Sequence, residues 1–320
     1  MNGRRRFLVG LAALATVRPR AVPAQARAPR VGLVSAGAPS LTAFTAGLRE
    51  IGHVPGQTII VEQQPTAGEA DRYDAAVASA LAAGVDVLVV TSPHGIIAAR
   101  RRTSRVPIVA VDLESDPVAS GFITSLARPG SNLTGLFLDL PEMSGKLLQL
   151  LQELKRGLSR VGIIWDAAIA RAQFDATERA ARAAGIDVHP GVIRTAAELE
   201  PAVEGFVRER TGALIALSSP LIRLNQARID DLAVRHRLPS ITVFPLLENG
   251  RGLLSYGPDL HSMHRRAAVY VDRILKGATV AEMPVERPAK FELAVNLRTA
   301  KSLGLELPQS LLLRADRVLQ

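Results

Sequence analysis

"RVGLVSAGAPSLTAFTAGLREIG", residues 30–52, decides how the rest of the chain reads. A short apolar run around Val31, Leu33 and Val34 reads as a strand. A loop of small residues follows. Residues 40–52 then show helical spacing that stops on Gly52, a common helix terminator. Strand, loop and helix in about twenty residues form the repeating unit of a wound α/β sheet.

The unit recurs. Strands are predicted at 57–64, 85–92, 106–114 and 132–138, and helices at 71–84, 94–104, 117–130 and 141–155. From "SRVGIIWD" (159–166) the rhythm restarts, with further strands at 186–193, 212–219 and 239–244. Two successive series, broken near residue 157, predict two parallel-sheet lobes with helices on both faces. A chain of 320 residues is long enough for two such cores.

Composition excludes several classes. With no cysteine, thiolate metal sites, cysteine nucleophiles and a lipidated N-terminal cysteine are ruled out. The N-terminus, "RRRFLVGLAALATV" followed by "AVPAQA", is a basic head, a short apolar run and an A-x-A cleavage site. Residues 1–26 therefore read as an export signal. Arg4 to Leu8 also fit the twin-arginine pattern, so the Sec and twin-arginine routes both stay open. The expected location is the periplasm. Residues 1–26 hold five of the 39 basic residues and none of the 30 acids, which leaves +4 on the remainder. That charge gives no reason to expect a nucleic-acid partner.

Ligands of open α/β sheets sit at the carboxyl ends of the strands. The loops there are "SAGAPS", "TSPHG", "ESDPV", "WDAAIAR", "LSSPLIR" and "VFPLLENG". Asp116-Pro117, Ser92-Pro93 and Ser219-Pro220 each place a capping residue before a proline suited to the first helical turn. The same hydroxyls and free N–H groups suit an anion. Ser35, Gly37, Thr91, Ser92, Ser218 and Ser219 are the candidates to hold a carboxylate. Asp112 and Glu114, with Asp166, are the candidates to meet an ammonium group. Phe244 and Tyr256 are candidates to line a side-chain region, and a packed tyrosine at a turn is the other reading of Tyr256.

His261 and His264 have the i, i+3 spacing of two metal ligands, but no third ligand stands near, so they read as a surface pair. Arg100, Arg101, Arg102 and Arg105 read as a solvated helix end. There is no phosphate-binding G-x-x-x-x-G-K-[ST] loop, no G-x-S-x-G elbow and no G-x-G-x-x-G after the first strand. No cofactor and no metal are expected.

The chain closely resembles one family, the substrate-binding proteins of ABC transporters with the type I periplasmic-binding-protein fold. The resemblance runs through "FTAGLREIGHVPGQTIIVE", "DPVASGFITSLARPGSNLTG", "SGKLLQLLQEL…LSRVGIIWD" and "LSYGPDL…RRAAVYVDRILKGATVAEMPVERPAKFELAVNLRTAKSLGLELPQSLLLRADRVLQ". It implies two lobes joined by a multi-strand hinge, the first at 29–157 plus 258–285 and the second at 158–257 plus 286–320. It also implies capture of a small solute, an amino acid or related carboxylate, and delivery to a membrane permease by a monomeric protein that is not an enzyme. The loop Asp166–Arg171 lacks the family's proline, and Arg251 separates Gly250 from Gly252, so ligand identity does not carry over. Two other functions stay open. One is an exported hydrolase or isomerase using Asp112 and Glu114 as acid and base. The other is a ligand-sensing subunit of a membrane receptor.

Overall fold

The computed structural model describes residues 27–111, 117, 118, 120–138, 140–245 and 250–320. Residues 1–26, read above as an export signal, and the acids Asp112, Glu114 and Asp116 lie outside the described residues.

The first series folds as β1 (Arg30–Ser35), α1 (Ala38–Glu50), β2 (Ile60–Pro65), α2 (Arg72–Ala82), β3 (Val87–Val90), α3 (Pro93–Arg102), β4 (Ile108–Ala110) and β5 (Leu133–Gly135). The strands form one parallel sheet in the order β2-β1-β3-β4-β5. Alternation along each strand feeds two cores. Val31, Leu33, Val87 and Val89 pack with Phe44 and Leu48 of α1. Val34, Leu88 and Val90 pack on the other face with Tyr73, Val77 and Ile96 of α2 and α3. Each fully buried aliphatic side chain of this kind contributes about 1.5–3 kcal/mol.

The second series is α4 (Leu140–Leu154), β6 (Arg160–Asp166), α5 (Arg171–Ala183), β7 (Asp187–Ile193), α6 (Leu199–Arg208), β8 (Ala213–Ala216), α7 (Pro220–Leu224), α8 (Gln226–Arg235), β9 (Ser240–Thr242) and β10 (Leu254–Pro258). After α9 (Leu260–Leu275) come β11 (Phe291–Asn296), α10 (Leu297–Leu303), α11 (Gln309–Arg314) and β12 (Arg317–Leu319). The second sheet has the order β12-β11-β10-β9-β8-β6-β7. It is parallel except where β11 runs antiparallel to β10.

Three expectations change. Residues 117–130 do not form a helix; the described ones are turns and bends. Gly121 and Gly130 take φ of +70° and +77°, which breaks helical geometry, while Phe122 and Ile123 are buried in the first lobe's core. The break between series lies before α4, not near residue 157. The leucine face of α4 packs on α5 and β9, so it belongs with the second sheet. The wholly parallel second sheet gains its antiparallel pair because the chain re-enters from the first lobe at β11.

The chain crosses between lobes three times: between β5 and α4, between β10 and α9, and between a 3-10 turn at Val280–Glu282 and β11. α9 packs on α1, β3 and β4 of the first sheet. Two crossings run side by side, with the Glu286 N–H donating to the Gly135 carbonyl at 2.9 Å and the Phe137 N–H donating to the Glu286 carbonyl at 3.2 Å. Gly135 is required here. Its φ is +135°, and a Cβ would fall 2.0 Å from the Ala110 carbonyl oxygen. Among the described residues no helix is long and apolar enough to cross a membrane.

Candidate functional site

Both sheets share one order through their first five strands, so each has a switch point between its first and third strands, where neighbouring connections diverge. The two carboxyl edges face each other across a cavity of about 930 Å³ counting its open mouth. The first lobe contributes Pro39 and Ser40 after β1, Thr91 and Ser92 after β3, and Val111 after β4. The second contributes Ser218, Ser219, Arg223 and Leu224 after β8, and Phe244 after β9. α9 adds Leu260, His261 and His264 at its first turns.

The hydroxyls have local duties first. Ser92 Oγ accepts from the His94 N–H at 3.2 Å and caps α3. Ser219 Oγ accepts from the Ile222 N–H at 3.0 Å and caps α7. The Ser218 N–H donates to Gln173 Oε1 at 3.0 Å, so that amide is already engaged. Each serine hydroxyl still has a proton to donate into the cavity.

Of the residues singled out from sequence, Thr91, Ser92, Ser218, Ser219 and Phe244 line the cavity. Ser35, Gly37, Asp166 and Tyr256 are not in its lining. Ser35 is fully buried beneath it, where its carbonyl accepts from the Thr66 hydroxyl at 3.2 Å. Gly37 is in extended backbone just before α1. Asp166 is 5% exposed and accepts from the Ala168 N–H at 2.9 Å, which holds its own turn. Asp166 nevertheless acts across the gap: burial lowers the pKa of His94, and the Asp166 charge opposes that shift. Tyr256 stacks on Phe291 of the neighbouring β11 at 5.9 Å, so it is packed within the second lobe and does not face solute.

Two residues central to the site were not among those candidates. Arg223 sits one helical turn past Ser219, and its guanidinium lies 5.3 Å over the Phe244 ring. Among the described residues no acceptor pairs with it. Its outer side is exposed to the cleft, while the protein packed around it excludes enough water to lower its pKa by desolvation. Cleft water screens that effect, so it says more about poise for an anion than about stability. The only sequence signal was "LSSPLIR" itself, where the hydroxyls drew attention and the arginine four positions on did not.

The second is His264. Read as half of a surface pair, it is only 7% exposed, whereas His261 is exposed. Its Nδ1 lies 2.6 Å from the Leu260 carbonyl oxygen one turn back. Burial, with Arg223 and His261 adding repulsion, pushes its pKa down to about 4. The correction has a simple cause. α9 is amphipathic, and His264 lies on its packed side while His261 stays exposed at the cavity edge. Among the described residues no cluster of acids and histidines could hold a metal ion.

Across the cavity mouth the lobes touch where Gly68, after β2, abuts Leu224 of α7. A Cβ on Gly68 would lie 3.2 Å from the Leu224 side chain. The cleft is therefore formed by lobes already in contact.

Known proteins with this arrangement agree on the fold. A structure of an ABC domain in complex with L-Trp from Streptococcus pneumonia superimposes with a TM-score of 0.82 at 19% identity, covering 91% of this chain and 99% of that one. A conserved domain protein from Vibrio cholerae gives 0.83 at 20% identity over 91% and 100%. A ligand-free, open substrate binding protein with adhesive properties from Clostridium difficile gives 0.67 at 22% identity over 91% and 99%. In sequence, a tyrosine-binding protein of Clostridioides difficile (strain R20291) is 22% identical over 267 residues, 82% of this chain and 76% of that protein. The profile of one family, described as ABC transporter substrate binding protein, matches residues 38–319. With all three crossings and every element except β1 inside that span, the chain belongs to the ABC transporter substrate binding protein family.

Proposed function

We propose that this protein is the exported solute-binding component of an ABC importer. It captures a small carboxylate-bearing solute, in the first instance an amino acid, between its lobes and delivers it to a membrane permease. The observation that carries the reading is Arg223: a cation with no acceptor among the described residues, held over Phe244 at the wall of the inter-lobe cavity. A guanidinium presents a donor fork that matches a carboxylate. The capped start of α3 at Ser92 adds donors and a positive helix end on the opposite wall. The export segment supports action outside the cytoplasm. The names of two relatives, one bound to L-Trp and one called tyrosine-binding, make aromatic amino acids the first solutes to try.

The test is a thermal-shift screen, followed by calorimetry, with the twenty amino acids and their simple carboxylate analogues. A true ligand at a hundred times its Kd stabilises the protein by about 2.7 kcal/mol and is recovered unchanged. Stabilisation by neutral sugars alone, or consumption of the solute, would overturn the proposal.

A further inference from the structure

The contact between Leu224 and Gly68 joins the two lobes at the edge of the cavity, and both residues belong to its lining. Each side of that contact is built to hold its place. On the first lobe, the turn after β2 starts at Thr66, which is fully buried. Thr66 donates its N–H and its hydroxyl to the Ser35 carbonyl at the end of β1, at 2.9 and 3.2 Å. Its hydroxyl oxygen accepts from the Gly68 N–H at 3.2 Å, and its carbonyl accepts from the Glu69 N–H at 3.0 Å. Within this turn Ala67 takes a φ of +52° and Gly68 one of +78°. The left-handed region costs any residue with a Cβ, so Ala67 carries strain that the bonds around it must outweigh. The turn presents the bare Cα of Gly68 to Leu224.

On the second lobe, Ser219 caps α7, Ile222 is buried beneath it, and the Asn225 side-chain amide donates to the Leu221 carbonyl at 2.8 Å. Leu224 at the end of this helix is 53% exposed, yet its Cγ and Cδ1 each lie 3.2 Å from where a Cβ on Gly68 would stand. The leucine thus occupies the room that the glycine leaves. Arg223, one residue earlier, lies at the cavity wall over Phe244. The short helix carries the inter-lobe contact and the cavity's cation on adjacent residues, so the two move together.

We propose that Leu224 and Gly68 form a latch that holds the lobes together without help from a solute, and that the cleft widens only when this contact parts. The latch goes beyond the carboxylate reading of the cleft and does not depend on it. A solute too large for the mouth as it stands must wait for the widened form. Its apparent affinity then falls by the fraction of molecules in that form.

The chain has no cysteine, so a pair of spin labels can be placed without removing any residue's thiol. Cysteines replace Ala75 on α2 and Ala227 on α8, exposed alanines in different lobes. The labelled protein is unfolded and refolded to strip co-purified solute, and the label separation is read by pulsed electron–electron resonance. With no other change, the short separation of the latched lobes should dominate. Leu224→Ala removes the seated side chain. At most about half of a leucine's burial rides on the contact, so the ratio of short to long separations should fall by up to about 10-fold. Gly68→Asn acts from the other side: asparagine tolerates the left-handed region, and its side chain needs the space that Leu224 fills. It should give mainly the long separation. Leu224→Met keeps an apolar side chain of similar size and should keep the short one.

A solute-free protein dominated by the long separation overturns the inference. So do Leu224→Ala and Gly68→Asn variants that both keep the parent distribution. If Gly68→Asn does not fold, Leu224→Ala decides alone, since it alters a half-exposed side chain. Neither result touches the proposed function, because no solute takes part in the measurement.

Discussion

Asp230 on α8 offers a sharp physical test of the structure, because its burial should be visible as a pH slope. It is 3% exposed, and its Oδ2 has no hydrogen-bond partner among the described residues. Burial, reinforced by the Asp231 charge and opposed by an N–H bond from Gly252, raises its pKa from 3.8 to about 7. The folded state therefore keeps a proton that the unfolded chain releases above pH 3.8. Its contribution to stability is full below that pH and is lost as the pH rises to about 7. Slightly more than three units at 1.36 kcal/mol each come to about 4 kcal/mol. His264 runs the other way. Its pKa falls from 6.5 to about 4, so its contribution is full above pH 6.5 and is lost as the pH falls to about 4, a matter of about 3 kcal/mol. In wild type the two slopes nearly offset. Asp230→Asn keeps an oxygen for Gly252 and removes the titration, so it should expose the His264 slope. Its stability relative to wild type should grow by about 4 kcal/mol between pH 4 and pH 7.5. Urea unfolding at pH 4.5, 6 and 7.5 with unchanged m-values measures this directly. A variant that tracks wild type at every pH would refute the burial assigned to Asp230.

Other perturbations separate the site from the scaffold. Arg223→Met keeps the stem over Phe244 and deletes the charge; it should weaken a carboxylate ligand by roughly 10- to 150-fold by calorimetry, from the loss of about 1.5–3 kcal/mol of charged hydrogen bonding, with the melting temperature of the free protein little changed. Gly135→Ala should lower stability by several kcal/mol, since a Cβ there would lie 2.0 Å from the Ala110 carbonyl at φ +135°; a melting temperature within a degree of wild type would contradict the crossing geometry. Phe206→Ala should cost about 3–5 kcal/mol in urea unfolding, because a Cβ on either Gly162 or Gly191 would fall within 2.6 Å of that fully buried ring. Trp165, the one tryptophan, is 6% exposed and stacks on Phe174 at 4.7 Å beside the Asp166 turn. Its emission should shift when a solute fills the cleft, and a titration with a bound solute that leaves it constant would show that binding does not reach β6.

The amino-acid sequence by itself determined the alternation of strand and helix, and with it the wound α/β class. That signal is local: apolar runs of four to six residues, Gly52 and Gly84 at helix ends, and serine before proline at Ser92 and Ser219. The caps were legible for the same reason, since each bond spans only two or three positions. The carboxyl-edge rule pointed to these loops, and five residues read from them line the cavity. Where local signals misled, tertiary packing had won. The apolar spacing of 117–130 supplies Phe122 and Ile123 to the core from turns instead of a helix. α4 follows its leucine face to the second lobe although it closes the first series. The choice of partner across the cleft belonged to the tertiary structure alone. Arg223 and His264 lie 41 positions apart in different lobes, and they meet because the chain crosses the hinge between them. Whether a histidine at the start of α9 faces water or a cavity depends on which helix face packs on α1, β3 and β4, a long-range contact that no spacing within the helix encodes.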